Sequence, residues 1–281
     1  MRRLPAQPTR CSMTGTDRGA KNSRQRGLIV QVRDLRLLRE LAVMRVADRE
    51  QVKIAAGFGS TTRANTRLLA LTRAGLLRRF FLGSGGGRKA LYALSAKGAQ
   101  LAQVPYRGPR RRQNEMLIAD FFVQHQLSVN AIYCGLKFGT VPVPQTTFAT
   151  WLAFHEPLAV GLSLIPDGYV EFATPSGIDA SFIEVDLGHE GLAVWKEKAR
   201  HYVQFALSGD YERRFRQPRF RVLVLANSER RLHTIRAAVL GVTQKIFWFA
   251  TLGAIRGEQF FAPVWLRPVG DTSQPFFKET P

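Results

Sequence analysis

Residues 60–94 read STTRANTRLLALTRAGLLRRFFLGSGGGRKALYAL, and this stretch decides the fold of the N-terminal third. Ser60 or Thr61 caps a helix that runs through Ala74, with Leu68, Leu69 and Leu71 as apolar anchors, and Gly75 ends it. Leu76–Leu82 and Ala90–Leu94 then predict two strands around Gly83-Ser84-Gly85-Gly86-Gly87-Arg88-Lys89, a hairpin with a basic, glycine-rich tip. Upstream, Val32, Leu35, Leu38, Leu41 and Ala42 recur at three- and four-residue spacing and predict a helix; a second, capped by Asp48, runs to Ala56 and breaks at Gly57-Phe58-Gly59. Downstream, Ser95–Leu101 predicts a further short helix.

Helix, helix, turn, helix, basic hairpin is the order of a winged helix-turn-helix. The third helix of such a unit enters the major groove with its N-terminal residues against base edges. Here those residues are Thr61, Thr62, Arg63, Asn65, Thr66 and Arg67. Arginine and asparagine suit bidentate reading of guanine and adenine. Arg88 and Lys89 at the wing tip would meet phosphate or the minor groove. The competing expectation is a winged helix used only for protein contacts.

Charge separates the two ends of the chain. Residues 1–113 carry 25 Lys and Arg against 5 Asp and Glu, a net of +20, whereas residues 114–281 balance at 16 of each. A cationic surface gains affinity for a polyanion by releasing condensed counterions. Double-stranded DNA is therefore the expected partner, with RNA bound through the same basic end as a weaker alternative. Two cysteines, Cys11 and Cys134, argue against a disulfide framework. The longest apolar run, Ile246–Ile255, is ten residues and too short to span a bilayer. The start of the chain has no apolar run of the secretory kind. These features predict a soluble, cytoplasmic protein with no membrane partner.

Five segments follow: a disordered basic arm (1–27), the winged helix-turn-helix (28–104), a Pro/Arg-rich linker (105–113), a second domain (114–270) and a tail (271–281). In the second domain, helices are expected over Asn114–Gln124, Leu127–Leu136, about Leu192–Ala206 and Glu229–Leu240. Strands are expected over Thr146–Phe154, Tyr169–Ala173, Ser181–Leu187, Arg219–Ala226, Ile246–Thr251 and Phe260–Leu266. Strands alternating with helices predict a mixed α/β domain with a central sheet covered by helices.

The chemistry concentrates in Pro166–Tyr202. Asp167 opens a hairpin, and Glu184 and Asp186 share one face of the next strand because side chains alternate with period two. Three carboxylates at a hairpin's mouth are costly to assemble unless protonated or bound to a cation. Oxygen ligation suits Mg²⁺ or Mn²⁺, which polarises a phosphodiester and activates a water. On the following helix, Lys198 sits at the edge of the buried face, within reach of a phosphate, with Tyr202 one turn on. The bland alternatives are strand-end carboxylates and a snorkelling lysine. The five histidines show no metal-ligand spacing, and Gly83–Gly87 lacks the ending of a nucleotide-binding loop.

Leu164-Ile165-Pro166-Asp167-Gly168-Tyr169, then Phe182-Ile183-Glu184-Val185-Asp186-Leu187-Gly188-His189-Glu190, then Lys198 and Tyr202, resemble the replication-relaxation family of plasmid and mobile-element proteins. So do Leu71-Thr72-Arg73-Ala74-Gly75-Leu76-Leu77 in the head and His125-Gln126-Leu127-Ser128-Val129-Asn130 between head and core. The resemblance covers about residues 30–266. It implies a role in plasmid replication, mobilisation or DNA relaxation, alongside other replication or mobilisation proteins. It also implies a second domain similar to the PD-(D/E)xK nucleases. In that pattern Asp167 and Glu184 match the two metal-binding acids, Asp186 stands where the pattern has lysine, and Lys198 is a migrated replacement. Two functions follow as expectations. One is a metal-dependent DNA endonuclease or nickase using Asp167, Glu184, Asp186 and Lys198. The other is a non-catalytic initiator accessory or transcriptional regulator with a degenerate nuclease-like domain.

Overall fold

The computed structural model describes residues 28–82, 89–106 and 116–277; the expected basic arm (1–27), Arg88 at the wing tip and residues 107–113 of the linker lie outside them. The first unit contains α1 (Val32–Met44), β1 (Ala47–Asp48), α2 (Arg49–Ala56), α3 (Thr61–Arg73), β2 (Leu77–Leu82), β3 (Lys89–Leu94) and α4 (Ala96–Ala102). The strands form one antiparallel sheet in the order β1-β3-β2. Leu37, Leu38, Leu41, Val52, Ala64, Leu68 and Leu71 bury one stripe of each helix in a common core, the pattern expected of amphipathic helices on a small sheet. Asp48 begins α2 through a reciprocal cap with Gln51, whose backbone N–H donates to the aspartate at 2.9 Å.

Gly98 in α4 is fixed by crowding. A Cβ there would stand 2.2 Å from the Leu76 carbonyl oxygen, a backbone atom with no freedom to rotate away. On an open helix, Gly→Ala stabilises by up to ~1 kcal/mol. Here the sign reverses: Gly98→Ala is expected to cost about 1–3 kcal/mol, read as a lower denaturant midpoint at unchanged slope. A stabilised Gly98→Ala protein would show that α4 and the start of β2 are not packed this closely.

Met116–Phe138 is a single 23-residue helix, α5, where two helices were expected. The two residues between the expected helices, His125 and Gln126, include no Gly or Pro, and the structure gives both side chains partners. His125 reaches Val185, and Gln126 donates to Asn130 at 3.0 Å. The helix looks apolar nearly all round because it is packed on two sides. Tyr133 and Cys134 join the core of the first unit, while Val129, Ile132 and Leu136 join the core of the second. Asn130 Nδ2 donates to the carbonyls of Met44 and Val46 at 3.2 and 2.6 Å, and Glu40 accepts from Tyr133 and Lys137 at 2.5 and 2.7 Å.

The second unit is built on a five-stranded mixed sheet, β4 (Thr147–Leu152), β5 (Gly168–Thr174), β6 (Gly177–Asp186), β7 (Arg221–Ala226) and β8 (Phe247–Thr251), in that spatial order. Neighbours are antiparallel from β4 to β6 and parallel from β6 to β8. Parallel neighbours need crossover connections, here α6 (Leu192–Leu207) with the short α7 (Asp210–Phe215), and α8 (Glu229–Leu240). Trp195, Tyr202, Leu232 and Ile235 pack on Phe182, Val222, Val224 and Phe249 of one face. The other face, with Ile183, Val185, Leu223 and Leu225, is covered by α5 and by Phe260, Trp265 and Phe276.

Three features differ from, or add to, what was expected. Helix α7 was not expected; six residues are too few to show a helical period. The strand expected over Phe260–Leu266 is instead a 3-10 turn (Gly257–Phe261) followed by single bridges from Leu266 to Phe249 and from Trp265 to Gln274. The expected tail from 271 carries Phe276, 1 % exposed, into the core. No helix among the described residues is long and apolar enough to cross a membrane.

Candidate functional site

Side chains from three elements meet at the C-terminal end of β6. Asp167 precedes β5 and is drawn in by its own backbone: its N–H donates to the Ile183 carbonyl at 3.1 Å, and its Oδ2 accepts from the Val185 N–H at 2.7 Å. Gly168 allows this approach, because a Cβ there would stand 2.4 Å from the Trp151 ring. Glu184, 1 % exposed, points from β6 toward α6. Its Oε1 accepts from the Tyr202 hydroxyl at 2.6 Å and its Oε2 from Lys198 Nζ at 2.9 Å. Lys198 also donates to Glu190 at 2.9 Å.

Electrostatics follow from this burial. Loss of water raises the Glu184 pKa well above the carboxylate range; Lys198 opposes the rise and the nearby Asp167 charge adds to it. Burial disfavours charge on Lys198 too, but Glu184 and Glu190 outweigh it and hold the ammonium firmly protonated. The pair thus keeps its positive member charged, while the carboxylate is the member that takes up a proton readily.

His125 of α5 completes the cluster. Its Nε2 lies 3.0 Å from the Val185 carbonyl oxygen and 3.3 Å from Asp167 Oδ2. Burial works against the imidazolium, yet the hydrogen bond and charge of Asp167 raise the His125 pKa overall. Sequence reasoning placed His125 in a segment that carries the family resemblance but gave it no site role, because its partners lie more than forty residues away.

Asp186 shares the face of Glu184, as period two requires, but it is committed elsewhere. Arg231 of α8 grips it through two bonds of 2.7 and 2.8 Å, Trp195 Nε1 donates at 2.9 Å and the Gly188 N–H at 2.7 Å. Burial alone would raise its pKa; these donors outweigh it and hold the pKa low. The structure therefore brings Asp167, Glu184 and Lys198 together and ties Asp186 into a lock between β6, α6 and α8.

The helix expected to read DNA divides similarly. Thr62, Arg63, Asn65 and Thr66 are exposed along α3, and Thr61 is half-buried. Arg67 is turned inward: its guanidinium pairs with the buried Asp34 and donates to the Ile29 carbonyl, so it braces α3 against α1. Lys89 pairs with Asp48 at 2.6 Å.

The donors suit a hard divalent cation. Asp167, Glu184 and the Val185 carbonyl supply oxygen, and the buried Glu184 beside Asp167 is a negative pair that a cation relieves. Among the described residues no group of three or more His, Cys, Asp or Glu side chains is arranged to hold a metal. A family model described as replication-relaxation matches residues 35–217, more than half of the chain. No curated protein and no solved structure matches it.

Proposed function

The chain belongs to the replication-relaxation family, and from that premise we propose that it is a DNA-binding protein of plasmid or mobile-element replication and relaxation with a divalent-metal phosphodiesterase centre. The observation that carries the reading is the meeting of Asp167, Glu184 and Lys198 at one end of β6. The order of α1, α2, α3 and the β2–β3 hairpin supports a winged helix-turn-helix head. The mixed sheet with an acidic pair at its centre supports a nuclease-like second half. Arg63 and Asn65 read base edges from the outer face of α3. Asp167 and Glu184 would hold Mg²⁺ or Mn²⁺, which supplies Lewis acidity and an activated water when bound. Lys198 holds a positive charge beside the reacting phosphate, and Tyr202 fixes one oxygen of Glu184.

The test is supercoiled plasmid carrying the bound site, incubated with pure protein and Mg²⁺ or Mn²⁺. Relaxed or nicked circles that vanish with EDTA are expected. If DNA is bound but never cut, the non-catalytic reading takes its place. One observation favours that second reading: both oxygens of Glu184 already have partners within the chain. The head is tested separately. Arg63→Ala is expected to weaken specific binding by about 1–3 kcal/mol and relax the preference at one base pair. Binding isotherms on specific and scrambled duplexes decide this; an equal loss on both would make Arg63 a phosphate contact.

A further inference from the structure

We infer that Arg267 and Trp248 form a site for a phosphate oxyanion on the second unit, and that this site takes a backbone phosphate of bound DNA. The nucleic-acid half of the inference rests on the reading of the protein as a DNA binder; the oxyanion half does not. Trp248 lies in β8, on the face of the sheet opposite the one from which Glu184 meets α6. It is 5 % exposed, and its indole N–H has no hydrogen-bond partner among the described residues. An indole nitrogen can only donate, and buried donors in native proteins are satisfied in the great majority of cases. The other two buried indoles follow that rule. Trp195 donates to Asp186 at 2.9 Å and Trp265 to the Phe260 carbonyl at 2.7 Å.

Charge at the same place is unbalanced. Two guanidiniums lie over the Trp248 ring, Arg221 at 4.8 Å and Arg267 at 5.0 Å from its centre. Arg221 is matched: it pairs with Asp179 and donates to the Phe276 carbonyl at 2.6 Å. Arg236, whose Nε donates to the Arg267 carbonyl at 2.6 Å, is matched by Asp271 at 3.0 Å. Arg267 is half-buried and has neither an ion pair nor a side-chain hydrogen bond among the described residues. Burial, then the charge of Arg221, holds its pKa low, and no carboxylate acts against them. The exposed Arg219 adds further positive charge close to Arg221. Residues 114–281 balance in charge as a whole, yet here an uncompensated guanidinium stands beside an unsatisfied N–H. An oxyanion answers both, because the planar fork of Arg267 takes phosphate oxygens in pairs and the indole supplies one further donor. The cationic first unit draws a polyanion to the molecule, and a phosphate held here would fix the position of a duplex without reading its sequence.

The experiment follows the Trp248 indole N–H in the heteronuclear NMR spectrum of the full chain, assigned by its disappearance in Trp248→Phe. Inorganic phosphate, added at constant ionic strength, is expected to move this signal saturably while the Trp195 and Trp265 indoles stay in place. A DNA duplex that the protein binds is expected to move it too. Arg267→Ala is expected to weaken phosphate by about tenfold or more and to lower the salt slope of duplex binding by about one. Arg267→Lys, which keeps the charge and loses the fork, is expected to restore the slope but not the phosphate affinity. Circular dichroism establishes that each variant is folded; should none fold, the wild-type indole signal decides alone. A Trp248 signal indifferent to phosphate and to bound duplex overturns the site. A signal that answers phosphate but ignores bound duplex overturns the backbone contact. A protein that binds no duplex, yet answers phosphate at Trp248, supports the oxyanion site and overturns the DNA-binding reading instead.

Discussion

Asp186→Ala is expected to destabilise the protein by about 3–5 kcal/mol, the usual cost of removing one partner from a buried ion pair. The carboxylate is 1 % exposed and accepts four hydrogen bonds, two from Arg231, one from the Trp195 indole and one from the Gly188 backbone. Alanine removes every acceptor. The Arg231 guanidinium, mostly buried, keeps only the Glu190 carbonyl, and the indole N–H is stranded in the core. The loop from β6 to α6 and the start of α8 lose their common anchor. Asp186→Asn keeps one oxygen acceptor but loses the charge, so its cost should be smaller. Denaturant unfolding of both variants measures the effect. A sequence reading that groups Asp186 with the catalytic acids makes the opposite forecast: a stable protein that binds DNA and does not cut it. An Asp186→Ala protein within about 1 kcal/mol of the wild type and inactive would restore Asp186 to the active centre.

The contrast between Asp186 and Glu184 shows where sequence reasoning stops. Period-two alternation placed both on one face of β6, and they are there. Alternation fixes the direction of a side chain, not its partner, and the partner of Asp186 comes from α8, forty-five residues on. Arg67 fails in the same way. Its place on α3 suited a base contact, but Asp34, thirty-three residues earlier, claims it. Where a segment answers to its own periodicity the reading is close: α8 spans Glu229–Leu240 as its apolar spacing predicts. Where a segment answers to two neighbours, periodicity blurs. α5 buries Tyr133 on one side and Ile132 on the other, so its apolar positions cover most of the helix and its polar ones resemble a break. His125 falls in the gap between the two expected helices, with no periodicity there to show which neighbour it meets.

Lys198→Met is expected to cost about 3–5 kcal/mol at pH 8 and markedly less at pH 5. Methionine keeps the length of the stem but leaves Glu184 with Tyr202 as its one remaining hydrogen-bond partner in the core. In the wild type, burial and the Asp167 charge already set the Glu184 pKa above its unfolded value even with Lys198 opposing them. A carboxyl whose pKa is raised on folding binds its proton more tightly in the folded state. Its contribution to stability is fully present below the unfolded pKa, about 4.3, and is lost as pH rises through the folded value. Without Lys198 the folded value moves higher still, so the loss continues further up the pH scale. The difference between variant and wild type therefore widens from pH 5 to pH 8. Glu184→Gln combined with Lys198→Met removes the titrating group and should recover most of the loss with a flat profile. Unfolding of the three proteins at both pH values measures this. A deficit of the same size at pH 5 and pH 8, or one that the double variant does not relieve, would mean that lost packing of the lysine stem, rather than an uncompensated carboxylate, sets the cost. Lys198 would then be no counter-charge to the acidic pair, and its proposed place beside a phosphate would lose its electrostatic basis.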